Sequence, residues 1–127
     1  MPVILFVDDN EHVRQHCRRE LGREGYRVIP CADGQGALQQ LRREIPDLVV
    51  LDMHMPRLDG PETARLLRAR VPDLPILFFT VKKDGQDGRV GTSETQIEKS
   101  EDLTELKSQV ARVLARTANR RPGEVGK

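Results

Sequence analysis

Four short apolar blocks set the frame of this chain: Val3-Ile4-Leu5-Phe6-Val7, Val28-Ile29, Leu48-Val49-Val50-Leu51 and Ile76-Leu77-Phe78-Phe79. The first, third and fourth are continuous rather than alternating, the pattern of strands covered on both faces. Between them lie stretches with helical spacing: Val13, Cys17 and Leu21, then Ala37, Leu38, Leu41 and Ile45, then Ala64, Leu67 and Val71 in a segment that starts at Gly60. The alternation β-α-β-α-β-α-β predicts an α/β fold, a parallel sheet with helices on both faces and right-handed crossovers. Punctuation agrees. Gly22 and Gly25 close the first helix, Asp33-Gly34 opens the second, and Pro46 and Pro72 stop the second and third.

From Ser100 the chain reads as a last helix, with Ser100 as N-cap, Glu101 and Asp102 in its first turn, and Leu103, Leu106, Val110, Val113 and Leu114 as one apolar stripe. Residues 82 to 95 contain three glycines and a single large apolar residue, which predicts a loop in place of a packed helix. The polar end from Thr117 to Lys127 reads as a tail or the start of a linker, so the folded domain is expected over residues 1 to 116.

A length of 127 residues suits one domain with one core. Net charge of +1 and 3% aromatic residues lack the basic, ring-studded footprint of a nucleic-acid binder. No apolar run approaches the roughly 20 residues that span a bilayer, and no basic segment followed by a long apolar stretch opens the chain. A soluble, unexported, cytoplasmic protein is the expectation. Cys17 and Cys31 show neither metal-ligand spacing nor a redox pair, and read as small buried hydrophobes.

The first strand ends in Asp8-Asp9 and the third in Asp52, which puts three acids at the carboxyl edge of a parallel sheet, where ligands ordinarily bind. Two carboxylates about 4 Å apart repel by roughly 4 kcal/mol at an effective dielectric near 20, so such a cluster takes up a proton or a cation. All-oxygen ligation favours Mg²⁺, with Mn²⁺ as the alternative. Thr80 and Lys99 end the next two strands and add a hydroxyl and an ammonium. Together these groups suit the oxygens of a phosphoryl group, whose transfer needs mostly positioning and charge neutralisation.

At these residues the chain resembles the receiver domains of bacterial two-component response regulators. The resemblance rests on Val7-Asp8-Asp9, on Leu51-Asp52-Met53-His54-Met55-Pro56-Arg57-Leu58-Asp59-Gly60, on Thr80 and on Lys99, and spans roughly residues 2 to 116. It implies a flavodoxin-like doubly wound five-stranded sheet of order 2-1-3-4-5, here with the helix between strands four and five degenerate or replaced by a loop. It further implies that Asp52 accepts a phosphoryl group from a phosphohistidine. Thr80 and Lys99 would contact that group, and Asp8, Asp9, Asp52 and the backbone carbonyl of His54 would hold Mg²⁺. The implied partners are a sensor histidine kinase or phosphotransfer protein, and an effector in trans or a C-terminal output domain outside this sequence. The chain would be no enzyme beyond catalysing its own phosphorylation and dephosphorylation.

Three positions depart from the family pattern, one of them Val81, which follows Thr80 where the family prefers a small residue and which would narrow the approach to Asp52. Ser100 stands where a proline usually follows the lysine, which predicts a trans Lys99–Ser100 bond and a shifted lysine loop. Gln96 stands where an aromatic switch residue is usual, so a docking module that works without phosphorylation is the alternative reading. A third, a Mg²⁺-dependent phosphatase of the haloacid-dehalogenase type, expects its two acids two positions apart after the first strand, which Asp8-Asp9-Asn10 does not supply.

Overall fold

The computed structural model describes residues 1–81 and 95–119. Among them the elements run β1 (Val3–Val7), α1 (Glu11–Arg23), β2 (Arg27–Cys31), α2 (Gly34–Arg43), β3 (Leu48–Asp52), α3 (Gly60–Arg70), β4 (Ile76–Thr80), β5 (Gln96–Glu98) and α4 (Thr104–Asn119). The five strands are parallel throughout and ordered β2-β1-β3-β4-β5, as the sequence predicts. Of the loop expected over residues 82 to 95, all but Thr95 lies outside the described residues; the Thr95 carbonyl accepts from the Phe78 N–H at 2.9 Å and leads the chain into β5.

Alternate side chains of each central strand enter two separate apolar layers. Leu5, Val7, Val49, Leu51 and Phe78 face α2 and α3, meeting Ala37, Leu41, Ala64 and Leu67. Ile4, Phe6, Val50, Leu77 and Phe79 face α1 and α4, meeting Cys17, Leu21, Leu106 and Val110. Continuous apolar blocks are therefore what the middle of the sheet demands, and β1, β3 and β4 are buried at every position. The edge strand β2 is only half-covered, and it carries Arg27 and Pro30, residues that an edge tolerates.

The helix starts are chemical. Asn10, Asp33 and Asp59 each cap a helix, their side chains accepting from the N–H groups of Val13, Gly36 and Glu62. Gly25 follows α1 at φ +97°, and its N–H donates to the Gly22 carbonyl, so Gly22 belongs to the last turn of the helix and Gly25 alone makes the turn away from it.

Three sequence expectations shift. The last helix begins at Thr104 and not at Ser100, because the Ser100 hydroxyl accepts from the Asp102 N–H two residues on, closing a small turn. Asp102 then takes both the N–H and the hydroxyl of Thr104. At its other end α4 runs through Asn119, so Thr117, whose hydroxyl donates to the Val113 carbonyl, is helical. Ile45 is 60% exposed, since α2 ends at Arg43 before a further inner position is reached. Cys17 and Cys31 are buried free thiols, as expected; burial first, then the charges of Asp8 and Asp33 respectively, push their pKa values up to about 12 and about 11.

Candidate functional site

Parallel register gives every strand the same sense, so residues just past β1, at the ends of β3 and β4, and just past β5 gather on one edge. Asp52 is paired in register with Phe79, one position before Thr80, and the Lys99 N–H donates to the Thr80 carbonyl at 2.6 Å. Asp8 continues β1, its N–H bonded to the Cys31 carbonyl at 3.0 Å. Asp8, Asp9 and Asp52 each bring a carboxylate oxygen within 4.8 Å of the others. Asp8, Asp52 and Thr80 are buried, whereas Asp9 faces solvent.

Lys99 crosses this cluster. Its Nζ lies 2.8 Å from Asp8 Oδ2 and 3.3 Å from Asp52 Oδ1. No cis peptide bond occurs among the described residues, so Lys99–Ser100 is trans as expected, and the ammonium still reaches both acids. Beyond it the loop is tied to α1, where His16 Nε2 sits 3.2 Å from the Glu101 carbonyl. Burial pulls the Lys99 pKa down, but contact with Asp8 and the charges of both acids outweigh it and raise the value above the ordinary one. For Asp52, burial and then the neighbouring Asp8 charge push the pKa up to about 6, against the opposing pull of Lys99 and of the His54 N–H.

The donor set fits a hard divalent cation. All three side chains offer oxygen, and Asp8 Oδ2, fully buried, meets the ammonium through charge while accepting no well-directed hydrogen bond. One ammonium against three acids leaves negative charge that a cation would neutralise.

His54 follows Asp52 by two residues; its N–H donates to Asp52 Oδ1 at 3.3 Å while its side chain is exposed. The bend after β3 is set by Arg57 in the left-handed region at φ 68° and by Gly60, whose N–H bonds the Met53 carbonyl at 2.9 Å. A Cβ on Gly60 would run into the Asp52 carbonyl and lie 2.8 Å from Met53 Cα, so only glycine lets α3 start this close to the acid.

Sequence reasoning missed Arg14. From the first turns of α1 its Nη1 donates to the Asp8 carbonyl at 2.8 Å, and the Asn10 N–H donates to Asp8 Oδ1 at 2.9 Å, so the acidic loop is held from two sides. The signal available was the backward tilt of helical side chains, which aims a long residue near a helix start at the preceding loop.

This constellation has relatives. The response regulator receiver domain family matches residues 4–111. The chain belongs to that family. Response regulator MprA of Mycolicibacterium vanbaalenii is 41% identical over 121 residues, covering 92% of this chain and 52% of that protein. The alkaline phosphatase synthesis transcriptional regulatory protein PhoP of Bacillus subtilis is 40% identical over 88 residues, 69% of this chain and 37% of that protein. The receiver chain thus spans about half the length, or less, of these curated relatives. Among solved structures, the response regulator TrrA of Thermotoga maritima in complex with Mg²⁺-BeF superposes with a TM-score of 0.82 at 31% identity, covering 89% of this chain and 99% of that one. TrrA in complex with the histidine kinase ThkA gives the same TM-score, 0.82, and the same identity, 31%, over 90% and 99% of the two chains. Among the described residues of this receiver no helix is long and apolar enough to cross a membrane.

Proposed function

We propose that this receiver accepts a phosphoryl group on Asp52 from a phosphohistidine of a sensor histidine kinase or phosphotransfer protein, and thereby switches a partner-binding surface. The observation that carries the reading is the Lys99 ammonium set between two buried carboxylates, 2.8 Å from Asp8 and 3.3 Å from Asp52, at the edge where Asp9 and Thr80 also end. With a pKa of about 6, Asp52 is mostly the carboxylate near neutral pH, as a nucleophile must be. A carboxylate oxygen of Asp52 forms a bond to phosphorus as the bond from phosphorus to the imidazole nitrogen breaks. The electron pair of that bond leaves with the imidazole, and the product is an acyl phosphate. Lys99 would then meet the phosphoryl oxygens, and the Thr80 hydroxyl would bond one of them.

Asp8, Asp9, Asp52 and the His54 carbonyl are the groups that would hold Mg²⁺, or Mn²⁺ in its place. A bound divalent cation supplies charge neutralisation for the incoming phosphoryl oxygens. The new negative charge and acceptor oxygens on Asp52 would draw Lys99 and Thr80 together and bias the loops around them. The effector is a separate protein or an attached output domain, and the chain acts in the cytoplasm, turning over no substrate but its own phosphoaspartate. Likeness to TrrA, which was crystallised with a histidine kinase and with Mg²⁺-BeF, supports both the donor class and the cation.

Intact mass after incubation with a small phosphodonor tests the reading. One phosphoryl addition that needs both Mg²⁺ and Asp52, and is absent from Asp52→Asn, is the expected result. No addition to a folded chain that binds Mg²⁺, with no spectral response to beryllofluoride, would replace it by the docking module that works without phosphorylation.

A further inference from the structure

The outer flank of α1 carries a groove that the acid site does not use. A cavity of about 530 Å³, open to solvent, lies between Arg18, Arg19 and Arg23 of the helix and the Tyr26 and Val28 side chains that follow it. Tyr26 and Val28 are half-buried on the apolar layer beneath and form the floor. The rim is cationic.

Among the described residues, neighbouring charges compensate Arg23 in part and leave Arg18 and Arg19 unpaired. Arg23 lies 3.6 Å from Glu20, and Arg27 pairs with Glu44 at 2.9 Å. Glu20 and Glu24 are drawn the other way, toward Lys107 of α4 at 3.1 and 3.7 Å. Arg18 and Arg19 make no ion pair among the described residues. The whole chain carries a net charge of only +1, so this positive rim is not part of a generally basic protein.

Gly22 lines the same groove from within α1. Glycine weakens a helix, yet the fold asks nothing of it here. Its φ is outside the left-handed region, and nothing lies within 4 Å of the place a Cβ would occupy. The missing side chain keeps room open toward solvent and serves no contact inside the molecule.

We infer that this groove docks an acidic segment of a partner protein, its carboxylates on Arg18 and Arg19 and one apolar side chain laid over Gly22 onto Tyr26 and Val28. An open cleft flanked by cations, with a small apolar floor, suits a peptide running along it better than an enclosed small molecule. Charge complementarity sets the sign of the occupant.

The test titrates the isotope-labelled full chain with a synthetic peptide of glutamates around a single leucine, followed by amide chemical shifts. Saturable shifts confined to the Gln15–Val28 stretch, weakening with added salt, are expected. Arg18→Glu with Arg19→Glu should weaken binding by about tenfold or more. Gly22→Leu, which a helix favours over glycine, should keep the fold and block the groove, while Arg42→Glu with Arg43→Glu on α2 should bind as the wild type does. Absence of saturable shifts, shifts centred elsewhere, or unchanged binding by the two groove variants would overturn the proposal. Saturation of the same residues by inorganic phosphate or a nucleoside triphosphate, with the peptide silent, would overturn the protein partner and give the groove to a small anion.

Discussion

Replacing Asp52 by asparagine should stabilise the metal-free receiver. The carboxyl is 3% exposed and sits beside Asp8, and its pKa rises from 3.8 to about 6 on folding because burial, and then the Asp8 charge, oppose its ionisation. For an acid whose folded pKa is raised, the unfolded chain gives up its proton first as pH increases. The fold is unpenalised below the unfolded value of 3.8, loses stability between there and about 6, and carries the full cost above that. About two pKa units correspond to about 3 kcal/mol, reached near pH 7.5 and reduced to about 1 kcal/mol near pH 4.5. Asparagine keeps the shape and removes the charge. Urea or thermal unfolding in the presence of a chelator should therefore find Asp52→Asn more stable by about 2 to 3 kcal/mol near pH 7.5, roughly 6 to 12 °C in midpoint for a chain of this size, with the gap closing toward acid pH. Mg²⁺ should close it from the other side by stabilising the wild type. An asparagine variant no more stable than wild type near neutral pH, or a gap indifferent to pH, would refute the electrostatic account of this site.

Other consequences are open to simpler measurements. Gly60→Ala forces a methyl against the Asp52 carbonyl and Met53, and should cost about 2 kcal/mol or more in denaturant unfolding, with metal affinity falling alongside; an unperturbed variant would mean the close approach is soft. Arg57→Gly should add up to about 1 kcal/mol of stability, because an arginine at φ 68° pays a left-handed penalty that glycine does not; equal midpoints would show the strain relieved by other means. Cys17 and Cys31, buried with thiols pushed to about 12 and about 11, should resist a disulfide-exchange reagent in the native chain and react fully once unfolded, so rapid native labelling would contradict the packing.

What could be read from residues alone followed burial. β1, β3 and β4 announce themselves because covering both faces demands unbroken apolar runs, while only Val28 and Ile29 of β2 stood out since Arg27 and Pro30 occupy an edge with solvent beside it. Asp8, Asp9 and Asp52 could be placed together because parallel strands end on one side. That Lys99 would span Asp8 and Asp52 depends on side-chain reach between distant strands that no local spacing encodes, whereas the Arg14 grip on the Asp8 carbonyl, six residues back, lay within reach of the tilt of helical side chains. The late start of α4 turned on competition between two uses of one hydroxyl, a helix cap or a two-residue turn, which Ser100 settles in favour of the turn.

The sheet also divides the molecule into compartments that exchange little mechanical information. Leu5 and Phe6 are bonded neighbours, yet Leu5 belongs with Leu67 on one side and Phe6 with Val110 on the other. A void opened behind Leu5 cannot be filled from the layer that holds Phe6, because five hydrogen-bonded strands stand between. Adjacent positions should therefore combine almost additively in double-mutant cycles, while Leu5 and Leu67, far apart in the chain, should not. Each layer is then free to drift in sequence without the consent of the other, and the carboxyl edge is the seam to which both must remain fitted.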